Sequence, residues 1–229
     1  MSGQGQSGQN SQRLIPGQPI GTFWGPEFVG VSAAGKQQFN KYTVVRDASG
    51  NETSRTLNGT TTAPGSDDNV ILGNANPKFS AGVRSAGTWG NFEFSTMIRS
   101  DVGQKVFNNT ALVYGTKSNV LQNLNFLRSA LDDGVAIGEP AIFSSRYVES
   151  GSFLRVANVT VGYNFTLKGL SSKGQKMRVY LSGDNLLMFT GYKGYDPEVH
   201  AAAGLAVRGI DYLAYPRARA FTTGVRIGF

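Results

Sequence analysis

The chain has 229 residues, a formal net charge of +7, one His and no Cys. Hydrophobic residues make up 40% of it, yet no apolar run approaches the ~20 residues a membrane-spanning helix needs, which excludes a helical membrane protein. From one His and no Cys, no Ser/His/Asp or Cys/His arrangement is arguable, and neither enzymatic activity, a cofactor nor a metal site is expected. Residues 1–70 hold five Lys or Arg against five Asp or Glu, so the excess lies in residues 71–229, with 17 against 10. Those basic residues are scattered through strands and turns rather than clustered. This argues against nucleic acid and favours anionic lipid headgroups or acidic glycans.

Met1–Asn10 is a polar Gly/Gln/Ser tract without the basic start and apolar stretch of a signal peptide. Gly3–Gly8 formally matches GxGxxG, but no strand precedes it and no helix follows, so no phosphate cradle is implied. A flexible polar segment is expected over residues 1–16 and a folded region over 17–229. Gly21–Val31, with Phe23, Trp24 and Phe28, is a weak strand candidate. Stronger ones follow. Phe79, Ala81 and Val83 alternate with Ser80, Gly82 and Arg84; Phe92, Phe94, Thr96 and Ile98 alternate with Glu93, Ser95, Met97 and Arg99. Val159, Val161, Tyr163 and Phe165 alternate with Asn158, Thr160, Gly162 and Asn164; Met177, Val179 and Leu181 alternate with Arg178, Tyr180 and Ser182. At the C-terminus Phe221, Thr223, Val225, Ile227 and Phe229 share one face, and Thr222, Gly224, Arg226 and Gly228 the other. Side chains alternate across a strand, so each segment has an apolar face and a small or polar one.

Alternation alone fits a soluble sandwich, whose apolar faces meet in a core, or a membrane barrel, whose apolar face meets lipid. The connections discriminate. Ala86 to Gly90 and Leu167 to Gln175 are short, whereas Ser32 to Pro77, Asp101 to Ser152 and Gly191 to Arg217 are long. Ordinary connections run about 4–6 residues. Long outer loops alternating with short periplasmic turns are the habit of outer-membrane barrels. If the C-terminus lies on the periplasmic side, all three long connections fall outside the cell.

Within the long connections, Asn119–Leu131 places Leu121, Leu124, Leu127 and Leu131 near helical spacing, which predicts one short loop helix, with Asp132 and Asp133 marking its end rather than a calcium site. His200 follows Asp-Pro-Glu-Val without partners at ligand spacing and reads as a solvated loop residue. Tyr192 and Tyr215 fall nearest the strand ends, where barrels carry an aromatic girdle. Tyr195 and Tyr212 lie deeper in the loop and are candidate contacts for a ligand or partner. Arg84, Glu93, Arg99, Arg178 and Arg226 are expected on the polar face, as solvated wall residues or contacts for a plug.

Several ordered motifs carry a resemblance. They are Gly17-Gln-Pro-Ile-Gly-Thr-Phe-Trp-Gly25, Leu72-Gly-Asn-Ala-Asn-Pro-Lys-Phe79, Arg146-Tyr-Val-Glu-Ser-Gly-Ser-Phe-Leu-Arg-Val-Ala-Asn-Val-Thr-Val-Gly-Tyr163, Val179-Tyr-Leu-Ser-Gly-Asp-Asn-Leu-Leu-Met-Phe-Thr190 and Gly194-Tyr-Asp-Pro-Glu198. From about Gly17 to Phe229 the chain resembles the SusC/RagA type of TonB-dependent outer-membrane transporter. The resemblance implies an all-β fold: an antiparallel segment of about six C-terminal strands from a transmembrane barrel of about 22. It implies import of oligosaccharides or peptides across the outer membrane of a Gram-negative, Bacteroidota-like cell. A SusD-like surface lipoprotein would cap the barrel and the TonB complex would drive it. No plug or TonB-contacting segment is visible, so the chain reads as a fragment of such a transporter. By the same resemblance Phe221, Val225, Ile227 and Phe229 would form the strand that the barrel-assembly machinery recognises. The competing expectation is a soluble secreted or periplasmic β-sandwich that binds carbohydrate.

Overall fold

The computed structural model describes residues 3–4, 10–167, 175–199 and 208–228, and the chain divides into two compact units. One unit comprises Pro77–Gly103, Ser152–Gly191 and Tyr215–Phe229. It is a single antiparallel meander of five strands, β1 (Phe79–Trp89), β2 (Phe92–Val102), β3 (Phe153–Leu167), β4 (Gln175–Thr190) and β5 (Ala220–Gly228), each paired with the next in sequence. β1 and β2 join through Gly90-Asn91. Trp89 pairs with Phe92, and Gly90 takes φ +59, a left-handed value that glycine adopts without strain. The five strong candidates of the sequence are therefore the five strands of this sheet. The weak sixth is not among them: Gly21–Val31 forms two short strands, Thr22–Pro26 and Phe28–Val31, in two other sheets.

Register shows what each face is made of. Val83, Ile98, Val156 and Leu187 lie in one cross-strand row, and Phe94, Val161, Leu181 and Thr223 in another, all on one face. Val83, Phe94, Val161, Leu181 and Val225 on this face are all exposed. Among the described residues, Phe153 is the one strongly buried apolar residue of this unit. A sandwich would bury this face against a second sheet; here five strands present it outward, which is the arrangement of a barrel wall rather than of a soluble core.

The alternation contains a break. Strand register shifts between Val156 and Asn158, where Ala157 is an extra residue against β2 and stands opposite Asn185-Leu186 of β4. Beyond it, odd-numbered Val159, Val161 and Tyr163 take the apolar face; before it, even-numbered Leu154 and Val156 do. The bulge thus keeps Arg155 on the polar face, directly across from Arg99, where continuous alternation would have turned it to the apolar side.

The other unit comprises Met1–Asn76, Gln104–Gly151 and Tyr192–Ala214, the long connections of the sequence. These are packed structure rather than open loops. Asn10–Gln12, Thr22–Pro26 and Asn69–Asn74 pair antiparallel, with Ser11 and Gln12 buried, so packing in this unit begins ahead of Gly17. Phe28–Val31, Gln37–Arg46 and Glu52–Thr61 form a second antiparallel sheet. Lys105–Asn108 lies between Val148–Ser150, antiparallel, and Ile210–Asp211, parallel. Phe23 and Ala75 from the first stretch, Phe107, Leu112, Phe143, Tyr147 and Val148 from the second, and Ile210 from the third make one core, with Phe107 and Phe143 edge to face at 4.8 Å. Gly25 admits this packing, since a Cβ there would fall 2.6 Å from the Phe143 ring.

The helix stands where the leucine spacing did not place it. α1 spans Asn109–Tyr114, and the Asn108 side chain caps it by accepting from the Ala111 amide at 2.8 Å. Over Asn119–Leu131 the chain instead makes a 3₁₀ turn at Lys117–Gln122, stopped by Asn123 in the left-handed region at φ 57, and a second at Arg128–Ala130. Leu121, Leu124, Leu127 and Leu131 are all exposed, so no apolar face binds them into a helix. Asp133 ends no helix either. It pairs with Arg146 at 2.6 Å and Lys117 at 3.4 Å, tying two distant parts of the connection together.

Candidate functional site

The polar face of the wall gathers the charged residues expected there. Gly162 pairs with Glu93 on one side and Tyr180 on the other. Because Gly162 has no side chain, the Arg178 guanidinium crosses over it: Arg178 Nε lies 3.0 Å from Glu93 Oε2, and a Cβ at Gly162 would fall 2.9 Å from that nitrogen. Asn164 donates to the other Glu93 oxygen at 2.6 Å, and Arg178 stacks over the Tyr180 ring at 5.4 Å. Tyr180 in turn lies over Gly224, where a Cβ would meet its hydroxyl at 2.5 Å. Glycines on two strands thus give long side chains room to lie flat across the sheet. Arg84 and Arg226 share this face by register.

A second polar group sits beside the bulge. Asn158 donates to Asp184 at 2.7 Å and to Ser182 at 3.0 Å, and Thr160 lies 2.8 Å from Ser182. Arg99 and Arg155 both stack on Phe153, at 5.5 and 5.6 Å. Such a surface can hold water and polar solute against the sheet. The sequence exposed Glu93, Arg99 and Arg178 through alternation. It concealed Gly162, Gly224 and Asp184, because a glycine's partner and a side chain beyond a bulge are set by register.

Of the terminal residues, Phe221, Val225 and Ile227 lie on one face of β5, paired with Gly183, Val179 and Met177 and open to solvent. Phe229, His200 and Ser171 lie outside the described residues. The four loop tyrosines separate. Tyr195 is 74% exposed and Tyr215 95%. Tyr212 is half-buried, and a hydrogen bond with the Tyr114 hydroxyl holds its pKa above the ordinary tyrosine value. Tyr192, expected in an aromatic girdle, is instead 6% exposed in a small cluster with Val106 and Val199. Its hydroxyl donates to Asp211 at 2.6 Å; burial first, then that bond, push its pKa far above the usual range. The two ligand-contact candidates therefore differ, Tyr195 standing free and Tyr212 being engaged by a neighbour. Among the described residues no group of His, Asp and Glu is placed to hold a metal ion.

No protein-family model matches the chain. Curated relatives do. The chain is 32% identical over 236 residues to TonB-dependent receptor P3 of Formosa agariphila, covering 96% of this chain and 23% of the relative. It is 32% identical over 157 residues to the TonB-dependent receptor SusC of Bacteroides thetaiotaomicron, covering 65% of this chain and 15% of the relative. Each is named a receptor, none an enzyme. The solved structure of the RagAB peptide transporter superposes on 97% of the chain with a TM-score of 0.71 at 23% identity, and 25% of that chain is covered. The fold is thus that of the transporter's barrel over this stretch, and the chain belongs to the SusC/RagA type of TonB-dependent receptor. It spans about a quarter or less of the length of the curated relatives it matches.

Proposed function

We propose that the chain is a wall-and-loop portion of an outer-membrane importer, energised through TonB, that takes up oligosaccharides or peptides together with a SusD-like surface lipoprotein. The observation that carries this reading is the five-stranded wall, whose apolar face has no core to pack into and whose other face is lined by Glu93, Arg178, Asn158 and Asp184. Lipid satisfies the first face and a hydrated lumen the second. The relatives named as TonB-dependent receptors support the energy source. The RagAB peptide transporter supports a peptide as one class of cargo, and SusC, by name, supports a SusD-like partner. The alternative of a soluble carbohydrate-binding sandwich is disfavoured by the wall itself, whose apolar face carries exposed Val83, Phe94, Val161, Leu181 and Val225.

The test is made in a cell carrying this chain within its receptor. The protein is expected to fractionate with the outer membrane and to resist extraction by alkaline carbonate. A tagged form is expected to retain a surface lipoprotein on purification, and uptake of cargo is expected to stop when TonB is removed. Recovery in the soluble periplasmic fraction would end the reading.

A further inference from the structure

We infer that the cleft beside Trp24 is a binding site for a carboxylate-bearing oligomer, held by the Arg13 guanidinium and flanked by aromatic and amide groups. The cleft has a volume of about 620 Å³ and lies wholly within the loop unit, between the strands Asn10–Gln12 and Thr22–Pro26, the turn Pro64–Ser66 and the Ile142-Phe143 segment. That is the size of an ordinary small-ligand cleft. Its lining contains no acidic residue and one cation, Arg13.

Arg13 is fixed without being neutralised. Its guanidinium stacks over the Trp24 ring at 5.5 Å, and no carboxylate pairs with it among the described residues. Its backbone is pinned as well, the Arg13 amide donating to the Thr22 carbonyl at 3.0 Å. Other arginines of this unit with a defined role are spoken for: Arg46 by Asp67, Arg55 by Glu52, Arg146 by Asp133. A planar guanidinium held against an indole presents its remaining N–H groups as a fork, the geometry that suits a carboxylate. Asn69 supplies an amide beside it, and Phe143, packed in the core against Gly25, backs the cleft with an apolar floor. The cleft therefore selects a ligand that combines negative charge with a ring or apolar face, which a uronic-acid glycan and an acidic peptide share. Trp24 and Gly25 close the motif Gly17–Gly25, so the motif's end is accounted for by this site.

The inference deepens the import reading, on which the ligand's identity as cargo rests. Binding is therefore tested without any transport step, so that either can fail alone. The full chain, folded in detergent, is titrated with three probes while ligand-dependent quenching of tryptophan fluorescence is followed: oligogalacturonate, a Glu-containing tetrapeptide and neutral maltotetraose. Saturable quenching by at least one acidic probe is expected, weakening as ionic strength rises, with none from maltotetraose; which acidic probe binds tells glycan from peptide. Arg13→Gln is expected to weaken that binding by about tenfold or more, the worth of a charge-assisted hydrogen bond, and Arg13→Lys by less. Arg128→Gln, outside the cleft lining, leaves it unchanged. The wild-type salt dependence needs no variant and guards against misfolding. Equal binding of maltotetraose, indifference to Arg13, or no binding of either acidic probe each overturns the inference.

Discussion

A side chain at Gly162 would place its Cβ 2.9 Å from Arg178 Nε, and the guanidinium would have to leave Glu93. With both side chains about a third exposed, that ion pair contributes about 0.5–1 kcal/mol after solvent screening. Gly162→Val and Glu93→Gln are each expected to cost about that much, and the double variant no more than one alone, because both remove the same contact. Urea titration of the detergent-folded chain measures it; strictly additive losses would mean that the glycine serves something else. Tyr192 offers a pH-dependent counterpart in the loop unit. Its folded pKa lies above its unfolded value near 10, chiefly through burial and then through Asp211, so the folded state binds more protons in alkali than the unfolded one. Its stabilising effect is fully present below that unfolded value and is lost as pH climbs past it. Tyr192→Phe removes the hydroxyl donor from Oδ2 of the buried Asp211, whose Oδ1 still accepts from the Ala214 amide, costing about 1–3 kcal/mol near neutrality, and is expected to flatten the alkaline loss. Resistance of the loop unit to protease from neutral to alkaline pH provides the readout.

Among the elements, β3 carries the one break in alternation, and deleting Ala157 would remove it while leaving Leu154 and Val156 on the apolar face and Arg155 on the polar one. Placing an arginine on the lipid side costs about 2–4 kcal/mol near the bilayer midplane, so Val156→Arg is expected to reduce folded barrel far more than deletion of Ala157. Heat-modifiable migration on gels distinguishes folded from unfolded protein. β5 raises a related expectation. Removing Phe229 is predicted to impair membrane insertion sharply if the machinery reads the terminal strand, whereas an anchor's loss would cost only the burial of one aromatic, about 1.5–3 kcal/mol. The five wall strands are legible because period-two alternation runs for about six to nine residues within each strand of nine or more. The bulge was not, since Phe153, Arg155 and Ala157 read as well in either parity. The loop unit's core was hidden for another reason: Phe23, Phe107 and Ile210 sit singly in strands of two to five residues, too short to show a period. The leucines of 121–131 misled because their spacing suits a helix while Asn123, in the left-handed region, ends the turn that would begin it. Tyr192 reads as a girdle residue from its distance to a strand end, whereas its burial is against Val106, far away in sequence, and Val199, with its hydroxyl on Asp211.

For the molecule as a whole, an outward apolar sheet with two unpaired edge strands is incompatible with a monodisperse monomer in plain buffer. Aggregation without detergent is expected, and light scattering would reveal it; a sharp monomer peak would contradict the wall assignment. Tags near Asp196, at the exposed Tyr195, or near Asn123 in the complete receptor are expected to be reached by label on intact cells, and one at Ser171 not; labelling of Ser171 would invert the topology. The shared core of the loop unit sets an order of events as well. Phe107 takes its backbone partner from Gly209 at 2.8 Å and packs with Phe23 and Ile210, so chain segments separated by four wall strands must all be present before that core closes. Contacts so distant in sequence form slowly. Until the last of them arrives, Phe23 and Phe107 stay wet, and the incomplete chain exposes apolar surface that is prone to aggregate.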